Sequence, residues 1–447
     1  MTSVLWFRRD LRLRDHPALH EAAKDGPVVA LFVLDPKLLK PAGAARVAFM
    51  YRTLRALDAD LHEHGGSLIV RRGDPANAVP EVVRAAGASS VHVSADFGPY
   101  GTQRDDAVEK ALADDVSFVR TGSPYAIAPG RVVKGDGEPF KVYTPYYRAW
   151  KEHGYRAPAS TITSRVEWHT SLDSIDIPAD PPEAKKIELP DPGEDAALKT
   201  WRAYRKKSLS GYDKQRDRPD LDATSRMSVY LKWGCIHPRT MLADLGPGDE
   251  TYRKELAWRE FYATVLSNWP ESAREYFLPQ MAKMEYARPN TKAFTAWQEG
   301  KTGFPIVDAG MRQLLAQGWM HNRVRMIVAS FLTKDLHIEW QHGARHFMQH
   351  LVDGDLASNN HGWQWTAGTG TDAAPYFRVF NPVTQGQKYD PSGDYVRRWV
   401  PELAGIEGKA VHEPWDLDEQ PRGYPERIVD HKEERRVALE RYQQTRD

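Results

Sequence analysis

The sequence predicts a doubly wound α/β domain at its N-terminal side and an all-helical domain at its C-terminal side. Over residues 4–112, short apolar strands alternate with amphipathic helices, a pattern typical of a parallel sheet with crossover helices. From Ala196 onward the apolar periodicity is helical and strand-like runs nearly vanish. At 447 residues the chain exceeds one typical core, so the predicted domains are residues 1–130, a connecting segment over 131–195, and a helical domain over 196–447.

The predicted strands of the α/β domain are apolar and rich in Val and Leu, as expected for strands that are buried on both faces. They cover residues 4–7, 27–34, 67–70 and 90–93, with helices predicted over 17–23, 44–62, 75–86 and 104–112. No Gly-x-Gly-x-x-Gly follows the first strand, which argues against a dinucleotide site of the usual kind. Four arginines follow it, and we interpret most of them as a solvated basic edge: Arg8, Arg9, Arg12 and Arg14.

Residues 158–195 interrupt this pattern with recurring prolines and weak periodicity, which predicts a linker draped over a surface. Beyond the linker, amphipathic helices are predicted over residues 252–269, 304–315, 324–336 and 426–442. The last of these helices is highly charged, and we expect it to pack on its own domain.

The composition argues against several classes of protein, such as secreted disulfide-bonded proteins and membrane proteins. Lys and Arg number 61 and Asp and Glu also number 61, so the net charge provides no global attraction to nucleic acid or membrane. A single cysteine, Cys235, excludes an intramolecular disulfide and fits a reducing cytoplasm. Neither a signal peptide nor an apolar membrane span is present in the pattern, so a soluble intracellular protein is expected.

The stretch from Val352 to Trp365 carries the clearest functional signal. Two acids flank Gly354, and two asparagines and two tryptophans follow within ten residues or so. A core helix does not need so many polar groups beside indoles, and a surface loop does not favour exposed indoles. The combination suits a cavity for a flat, polar-edged ligand, with rings for stacking and acids and amides for orientation.

Two other patterns predict little. Gly300-Lys301-Thr302 imitates the end of a phosphate-binding loop, but Thr295 stands where the earlier glycine is needed. Histidines on one predicted helical face, four residues apart, could in principle bind a metal, but we interpret them as a polar stripe and predict no metal site: His342, His346 and His350.

Two helical segments leave alternatives open. Thr224 and Ser225 are good N-cap residues for a helix that starts near Met227, and this could be only a cap or a diphosphate site with Arg226 close by. Further on, spacing of three and four residues places four side chains on one face: Glu255, Trp258, Arg259 and Tyr262. That face is either an ion-paired surface or the lining of a pocket in which an acid binds a base edge and an indole stacks on it.

The chain resembles the DNA photolyase/cryptochrome family in five segments, and it most resembles class I cyclobutane pyrimidine dimer photolyases. The segments are Trp6-Phe7-Arg8-Arg9-Asp10-Leu11-Arg12, Thr224-Ser225-Arg226-Met227-Ser228, Glu255 to Tyr262, Gly318-Trp319-Met320-His321-Asn322-Arg323, and Asp353 to Pro382. The resemblance spans the chain and implies an all-α C-terminal FAD-binding domain. It also implies a carbon–carbon lyase that uses light and reduced FAD to repair UV-damaged DNA, after flipping the lesion out of the duplex, a step for which photolyases are the general example.

The resemblance also implies the site residues. The implied FAD contacts are Tyr212, Thr224, Ser225, Arg226, Met227, Ser228, Arg325, Asp353, Gly354, Asp355 and Asn359. Arg325 is expected to pair with Asp353, and Asn359 is expected beside the reactive nitrogen of the flavin. The implied catalytic and DNA-binding residues are Glu255, Trp258, Arg259, Asn322, Arg323, Met326, Asn359 and Trp365.

The resemblance implies a chain of indoles that carries electrons to oxidised flavin, with Trp363 and Trp340 as its inner members. The outer tryptophan of the family should fall near Tyr286, where this sequence has no indole, so Tyr286 is the predicted substitute. His361 also departs from the family pattern, because a small residue is usual there. We expect this histidine to alter the response of the pocket to pH.

The resemblance also bears on a second, antenna pigment. The segment Asp96-Phe97-Gly98-Pro99-Tyr100-Gly101 favours a deazaflavin over methenyltetrahydrofolate as second chromophore, since Gln103 stands where folate-binding members tend to carry an acid.

The runner-up function is a cryptochrome-type photosensor, followed by a (6-4) photolyase and an electron-transfer flavoprotein without a DNA role. A cytoplasmic monomer is expected.

Overall fold

The computed structural model describes residues 1–289, 291–372 and 377–445. The chain divides into two compact units. The first comprises Met1–Lys185, Leu189–Ser210 and Ser225–Pro270, and the second comprises Lys186–Glu188, Gly211–Thr224 and Glu271–Asp447. The family-resembling segment 353–382 includes residues 373–376, which lie outside the described residues. No helix in the described part of the chain is both long and apolar enough to cross a membrane.

The first unit contains a parallel sheet of five strands among the described residues, in the order β3-β2-β1-β4-β5. The strands are β1 Thr2–Phe7, β2 Val28–Leu34, β3 Leu68–Arg72, β4 Ala88–Val93 and β5 Ser117–Arg120. This order confirms the predicted doubly wound topology. The prediction missed β5 because this edge strand is exposed or half-buried and lacks the apolar run of the central strands.

Helices follow the predicted periodicity in most places. They are α1 Pro17–Asp25, α2 Pro36–Leu39, α3 Ala44–Glu63, α4 Pro75–Ala86, α5 Pro99–Ala111, α6 Tyr143–His153, α7 Glu194–Lys207, α8 Tyr212–Gln215, α9 Ser228–Trp233, α10 Pro238–Ala243, α11 Glu250–Asn268, α12 Lys292–Glu299, α13 Pro305–Gln317, α14 Asn322–Ser330, α15 Trp340–His350, α16 Leu356–Ala367, α17 Pro382–Tyr389, α18 Asp394–Trp399 and α19 His431–Gln444. Helix α6 was not predicted.

The basic edge predicted after β1 is wrong for two of its arginines. Arg8 is buried, and its Nη1 donates to Asp105 Oδ1 at 2.6 Å. Arg12 is also buried, and it donates to the carbonyl oxygens of Asp15 and Gly234 at 2.7 and 3.1 Å. Buried guanidinium groups need such partners, and most of the groups that supply them lie far away in the sequence. Only Arg14 is exposed as expected.

A buried carboxylate explains why α11 belongs to the first unit. Glu260 accepts hydrogen bonds from Trp150 Nε1 at 2.7 Å and from the backbone N–H of Ile127 at 3.1 Å. These bonds attach α11 to α6 and to the segment after β5. The compact units therefore do not follow the boundaries at residues 130 and 195, and those domain boundaries stay a prediction. The segment 158–185 carries a 3₁₀ turn at Thr163–Arg165, an isolated bridge between Trp168 and Val28, and the start of the 3₁₀ turn Pro182–Lys186, in keeping with the predicted linker.

The second unit is helical around an aromatic core that includes Trp297, Phe304, Phe331 and Trp340. Two of its helices differ from prediction. The helix predicted over 324–336 ends as α14 at Ser330 and continues as a π-helical turn, Phe331–Asp335. The helix predicted from 426 begins at His431, because the Asp430 carboxylate caps its first turn by accepting from two backbone N–H groups.

Candidate functional site

In the second unit, the loop 353–355 is positioned at both of its ends. Val352 N donates to Gly318 O at 2.8 Å, which ties the loop to the residue after α13. The Asp355 side chain caps α16 by accepting from Ser358 N at 3.1 Å. An aspartate at this position satisfies an otherwise unpaired amide of the first turn and complements the helix dipole. The loop is therefore a rigid entry to the helix that carries the predicted site.

The predicted pairing of Arg325 with Asp353 is confirmed. Arg325 Nη2 donates to Asp353 Oδ2 at 2.8 Å, and Arg325 Nε donates to Met320 O at 2.8 Å. Asp353 is buried, yet its second oxygen, Oδ1, accepts no hydrogen bond within the described residues. A buried carboxylate oxygen without a donor is unusual, and it is available to a ligand that presents an N–H or O–H group.

The two asparagines of α16 face different partners. Asn359 is half-buried, and its Nδ2 donates to Ala344 O at 3.1 Å and to Asn360 Oδ1 at 2.8 Å. Asn360 in turn donates to Ala273 O at 2.6 Å. The side-chain amide of Asn359 is thus held by α15 and by its neighbour, so it presents a fixed, non-titrating dipole. The assignment of Asn359 to the flavin stays a prediction.

His361 is a structural residue in this fold. Its Nδ1 lies 2.8 Å from Ala357 O, and its Nε2 lies 2.9 Å from Ser272 Oγ. The side chain is 1% exposed, and burial lowers its pKa to about 4. The imidazole is therefore neutral near pH 7, and the expectation that His361 alters the response of the pocket to pH stays a prediction.

Trp363 and Trp340, the predicted inner electron carriers, are both buried. Trp363 lies edge-on to Trp297 and Phe347, with ring centroids 6.1 and 4.9 Å away. Its ring also fills the space beside Gly343, where a Cβ atom would lie 2.2 Å from Trp363 Cη2. The indole N–H groups of Trp363 and Trp340 have no acceptor within the described residues. They are two buried donors without partners, in addition to the buried acceptor Asp353 Oδ1.

The predicted outer electron donor, Tyr286, is half-buried and lies next to another tyrosine. Its ring stacks on Tyr276 with centroids 5.9 Å apart, and Tyr276 lies edge-on to Trp340 at 6.4 Å. The position of Tyr286 relative to Trp340 is therefore compatible with the prediction, which the contact alone does not test.

Helix α14 presents the predicted DNA rim. Asn322 is exposed, while Arg323 and Met326 are half-buried. Arg323 Nη2 forms an ion pair with Asp217 at 2.9 Å, and its guanidinium lies 4.5 Å from the centroid of the Tyr389 ring. The structure holds this cation in one place, and its assignment to DNA stays a prediction, as does that of the half-buried Trp365.

Two predicted FAD contacts lie in the segment 211–224 of the second unit. Tyr212 begins α8, and the Arg216 guanidinium lies 5.7 Å from the centroid of its ring. The hydroxyl oxygen of Thr224 is buried and makes no hydrogen bond within the described residues. Like Asp353 Oδ1, it is a buried polar atom without a hydrogen-bond partner within the described residues.

In the first unit, the predicted capping of α9 is wrong. The helix begins at Ser228, and its N-cap is Met227, without a side-chain hydrogen bond. Ser225 Oγ lies 2.7 Å from the phenolic oxygen of Tyr252, and Arg226 has a positive φ of 52°. A left-handed backbone at Arg226 turns the chain before the helix, so Ser225 Oγ accepts from Met227 N, at 3.4 Å, rather than from an amide of the first turn of α9.

Helix α11 carries the predicted face, and all four of its side chains are half-buried: Glu255, Trp258, Arg259 and Tyr262. Trp258 stacks on Tyr143 of α6, with ring centroids 3.6 Å apart and planes inclined by 11°. Tyr143 in turn donates to Lys254 O at 2.7 Å. An indole supported on one face and one turn from a carboxylate forms a platform that suits a flat ligand with polar edges.

Arg259 contacts its own unit. Its Nη1 donates to Pro124 O at 2.9 Å, its Nη2 donates to Leu231 O at 3.2 Å, and its guanidinium lies 4.6 Å from the centroid of the Tyr125 ring. These contacts join three segments of the unit. The assignment of Arg259 to DNA stays a prediction.

The histidines of α15 pack against rings. His346 is buried 5.4 Å from the Trp297 ring centroid, and burial lowers its pKa to about 3. His342 lies edge-on to Phe294 at 6.4 Å. Across the residues that the structure describes, no group of three or more His, Cys, Asp or Glu side chains could hold a metal ion.

Comparison with known proteins decides the family. The model of the FAD binding domain of DNA photolyase matches residues 252–444, and the model of DNA photolyase matches residues 3–163. The chain belongs to the DNA photolyase family. A flavin fits the donor and acceptor set of this photolyase-family chain, because Asp353 Oδ1 and Thr224 Oγ1 are buried acceptors without partners within the described residues.

Relatives match the chain over nearly its full length. The deoxyribodipyrimidine photo-lyase of Streptomyces griseus is 41% identical and covers 96% of this chain and 96% of its own. Among solved structures, a class III photolyase from Agrobacterium tumefaciens has a TM-score of 0.93 at 36% identity, covering 100% of this chain and 98% of its own. An archaeal photolyase from Sulfolobus tokodaii, solved with two FAD molecules, has a TM-score of 0.88 at 29% identity and covers 99% and 100%.

A cryptochrome from Synechocystis sp. PCC6803 is also similar, with a TM-score of 0.89 at 27% identity over 98% of each chain. The similar structures thus include a class III photolyase and a cryptochrome. Membership in the photolyase/cryptochrome family is confirmed, and the closer likeness to class I photolyases stays a prediction.

Sequence reasoning missed Tyr143 in the first unit and Gln364 in the second. Tyr143 supports Trp258 from a helix that was not predicted, and Gln364 binds a loop about ninety positions earlier, donating to Ser272 O at 2.8 Å and accepting from Phe277 N at 2.8 Å. Gln364 lies inside the stretch 352–365, so its polarity between two tryptophans was a usable signal. The aromatic spacing of Tyr143, Tyr146, Tyr147 and Trp150 was a usable signal for α6, but no local pattern linked Tyr143 to Trp258.

Proposed function

We propose that this photolyase-family chain repairs cyclobutane pyrimidine dimers in DNA, using light and an electron from reduced FAD. The family and its FAD-binding domain support the chemistry, and the relative from Streptomyces griseus bears the name of a deoxyribodipyrimidine photo-lyase. The dimer as substrate, the role of each residue and the electron-transfer mechanism belong to the proposal.

The observation that carries the proposal is the aromatic platform at Trp258. Tyr143 covers one face of this indole at a centroid distance of 3.6 Å, while Trp258 itself stays half-buried, so part of its surface is accessible. Stacking on such a ring binds a nucleobase without reading its sequence. Glu255, three residues earlier on α11, supplies a carboxyl group that can hydrogen-bond a pyrimidine edge. In a dry site, such a bond stabilises charge that develops on the ring during cleavage.

FAD is proposed to be held by the residues that the family resemblance implies. The arginine–carboxylate pair of Arg325 and Asp353 offers a cation and a free buried acceptor, while Asn359 offers an amide that cannot titrate. The remaining proposed contacts are Tyr212, Thr224, Ser225, Arg226, Met227, Ser228, Gly354 and Asp355. When bound in its reduced form and excited by light, the flavin supplies the electron that opens the cyclobutane ring.

The chain's own residues would orient the lesion. Met326 and Trp365 offer apolar surface to the dimer. Asn322 offers an amide, and Arg323 offers a cation to the phosphates of the DNA. Arg323 already pairs with Asp217 at 2.9 Å, so binding DNA would exchange this partner for a phosphate. Such an exchange keeps the guanidinium paired in both states and weakens with added salt.

The test uses the FAD-loaded protein after chemical reduction with dithionite. An oligonucleotide with one thymine dimer is added, the sample is illuminated, and the recovery of thymine absorbance is followed. We expect recovery in the light and none in the dark, with Trp258→Ala and Glu255→Gln slower than the unsubstituted protein. Absence of light-dependent recovery contradicts the proposal, and recovery only with a (6-4) lesion assigns the chain to the other repair reaction.

A photosensor is the second candidate, favoured by the similarity to the Synechocystis cryptochrome at 27% identity. The two functions differ in what light produces. A photosensor requires a light-dependent change in structure or in partner binding without dimer repair, whereas a repair enzyme turns over dimers. The repair measurement therefore discriminates between them. The electron-transfer flavoprotein without a DNA role leaves the Trp258 platform without a use.

We also propose an antenna pigment of the deazaflavin type in the first unit. The segment after β4 is ordered by Asp96, whose Oδ1 accepts from Phe97 N and Gly98 N at 2.9 and 3.2 Å. Gln103 is exposed on α5. Denaturing the purified protein and separating the released chromophores tests this proposal, since a folate and a deazaflavin differ in absorption and mass. Recovery of a folate contradicts it.

The oligomeric state and the compartment complete the proposal. We expect a monomer in the cytoplasm, where a reduced thiol at the buried Cys235 is stable. Light scattering after gel filtration measures the mass directly, and 50.7 kDa is the expected value for a monomer.

A further inference from the structure

Tyr276 lies between the buried indole of Trp340 and the half-buried ring of Tyr286. Its ring centroid is 6.4 Å from that of Trp340, edge-on, and 5.9 Å from that of Tyr286, with the two phenol rings inclined by 23°. Tyr276 is buried, while Tyr286 is partly exposed. The three rings form a continuous path from the core of the second unit toward its surface.

The position of Tyr276 is set by α16. Gln364 binds the segment around Tyr276 at Ser272 O and Phe277 N, both at 2.8 Å. Asn360 and His361 bind the same segment at Ala273 O and Ser272 Oγ, at 2.6 and 2.9 Å. These side-chain hydrogen bonds position the segment, as close ring contacts require.

Tyr276 also has a proton acceptor. Its phenol O–H donates to Glu339 Oε1 at 2.9 Å, and the Glu339 side chain is 40% exposed, so a proton that reaches it can pass to water. Burial and the neighbouring Tyr286 and Glu339 groups raise the pKa of Tyr276, while burial raises the pKa of Tyr286 to about 12. Both phenols are therefore protonated at neutral pH, and either one must lose its proton when it loses an electron.

We propose that Tyr276 and Tyr286 form the outer end of the electron path to Trp340, with Glu339 as the acceptor of the Tyr276 proton. The inference rests on the proposed function, because the oxidant of Trp340 is the relay through Trp363 to light-excited oxidised FAD, which produces the reduced flavin that repair uses. It adds a specific relay residue, Tyr276, and a specific base, Glu339, to a path whose outer indole this chain lacks.

The step balances in electrons and protons. One electron passes from Tyr276 to the Trp340 radical cation, which becomes neutral indole, and the phenolic proton passes to the Glu339 carboxylate. Tyr276 is then a neutral phenoxyl radical. A hydrogen atom from Tyr286 restores Tyr276 and leaves the radical on the more exposed ring. A thiol in solution then reduces Tyr286 by giving up one electron and one proton.

A second route out of the core is less suited to the same role. Trp297 lies 6.1 Å from Trp363, and Phe294 stacks on its outer side at 5.8 Å. Trp297 is buried, and its N–H donates to Val328 O at 3.0 Å. Its neighbouring rings include Phe294, which has no acidic proton, and His346, whose centroid lies 5.4 Å away and whose pKa burial lowers to about 3. The N–H of Trp297 faces a carbonyl that cannot take up its proton, whereas the O–H of Tyr276 faces the Glu339 carboxylate, so the tyrosine route can release a proton at Tyr276.

The test uses the FAD-loaded, oxidised protein with ring-deuterated tyrosine. Illumination at low temperature traps the radical, and electron paramagnetic resonance identifies it. In the unsubstituted protein, we expect a radical signal whose line is narrower with ring-deuterated tyrosine than with ordinary tyrosine. Tyr276→Phe and Glu339→Gln should lose this tyrosine signal and leave an indole radical, and Tyr286→Phe should keep a tyrosine radical, on Tyr276, that thiol reduces more slowly.

The matched control is Tyr424→Phe. Tyr424 lies in the same unit and also donates to a carboxylate, Asp308 Oδ2 at 2.7 Å, but no aromatic contact joins it to Trp340 in the described part of the chain. It should keep the tyrosine signal unchanged. An indole radical alone in the unsubstituted protein overturns the inference, and so does loss of the tyrosine signal on Trp297→Phe with its retention in Tyr276→Phe.

Repair by dithionite-reduced protein separates this inference from the proposed function. We expect Tyr276→Phe and Glu339→Gln to repair dimers at the unsubstituted rate once reduced chemically, because the outer path serves only to reduce the flavin. Repair without any tyrosine radical leaves the proposed function intact and overturns the inference. A tyrosine radical without repair supports the path and contradicts the proposed function.

Discussion

Tyr143 and Trp258 stack almost face to face, with ring centroids 3.6 Å apart and planes 11° from parallel. The hydroxyl of Tyr143 is held by Lys254 O at 2.7 Å, so the supporting ring is attached to α11, the helix that carries Trp258. The indole is therefore preorganised before any ligand arrives, and little side-chain entropy remains to be lost on binding.

Replacing Trp258 by alanine is expected to weaken binding to dimer-containing DNA. Loss of one base–aromatic stack costs about 1–3 kcal/mol, which corresponds to roughly a 5- to 150-fold weaker Kd. Fluorescence anisotropy with matched oligonucleotides, with and without the dimer, measures the effect. Tyr143→Phe keeps the supporting ring and should bind almost as the unsubstituted protein does. An equal loss of affinity for both oligonucleotides argues against a role in lesion recognition.

Asp353→Asn is expected to reduce the FAD that copurifies with the protein. The change removes the charge opposite Arg325, whose side chain is 24% exposed, and makes the acceptor oxygen weaker. The ratio of flavin to protein absorbance measures occupancy. Glu402→Gln is the matched control, because it breaks another arginine–carboxylate pair of the same unit, Arg312–Glu402 at 2.6 Å. Equal loss of FAD in both variants points to general destabilisation of the unit.

Gly343→Ala and Gly362→Ala are expected to have opposite effects on stability. A Cβ at Gly343 would lie 2.2 Å from the Trp363 ring and 2.6 Å from Leu332 Cδ2, whereas a Cβ at Gly362 would meet nothing within 4 Å. Overpacking at Gly343 should cost about 1–3 kcal/mol. At Gly362, alanine in a helix interior should add about 0.5–1 kcal/mol. Urea denaturation measures both, and similar values for the two variants would refute the close contact with Trp363.

His361 is expected to make folding stability depend on pH. Burial lowers its folded-state pKa from 6.5 to about 4, so the unfolded chain binds the proton more readily. Its contribution to stability is fully present above pH 6.5 and is lost as the pH falls toward about 4. Between pH 7 and pH 5 the expected loss is about 2 kcal/mol.

The measurement compares urea denaturation of the unsubstituted protein and His361→Gln across this range of pH. Glutamine cannot take up a proton, so the difference in unfolding free energy between the two proteins should shrink as the pH falls. His346 has a pKa lowered by burial to about 3 and titrates in the same direction, but it is present in both proteins and cancels. A difference that does not change with pH would show that His361 does not titrate on unfolding.

Local patterns predicted much of the fold. Helix α4 was predicted with its observed bounds, since Pro75 starts it and the left-handed Gly87 follows it. Strand β5 was missed because an exposed edge strand has no apolar run. Helix α6 was missed although its buried aromatic residues fall at helical spacing on one face: Tyr143, Tyr146, Tyr147 and Trp150. Contacts with the rest of the chain stabilise both elements, and local pattern carries no record of those contacts.

The residues of the candidate site also divide into those that the local sequence predicted and those that it did not. The acids, amides and indoles between Asp353 and Trp365 indicate a ligand site by residue type alone, because such residue types are unfavourable together in a core or on a surface. The pairing of Asp353 with Arg325 was also predicted. The hydrogen-bond partners of His361 could not be predicted, since Ser272 lies far away in the sequence and the burial of His361 depends on a segment that the local pattern does not reach.

By itself, the sequence determined the fold class, the parallel sheet, the bounds of several helices and the identity of the polar cluster on α16, because these depend on residue type and spacing. The tertiary structure alone decided which charges are buried, which ring supports Trp258 and which tyrosine lies between Trp340 and Tyr286. Those relationships join residues that are distant in sequence. Only packing brings such residues together, because burial, hydrogen bonding and ring contact depend on distance in space.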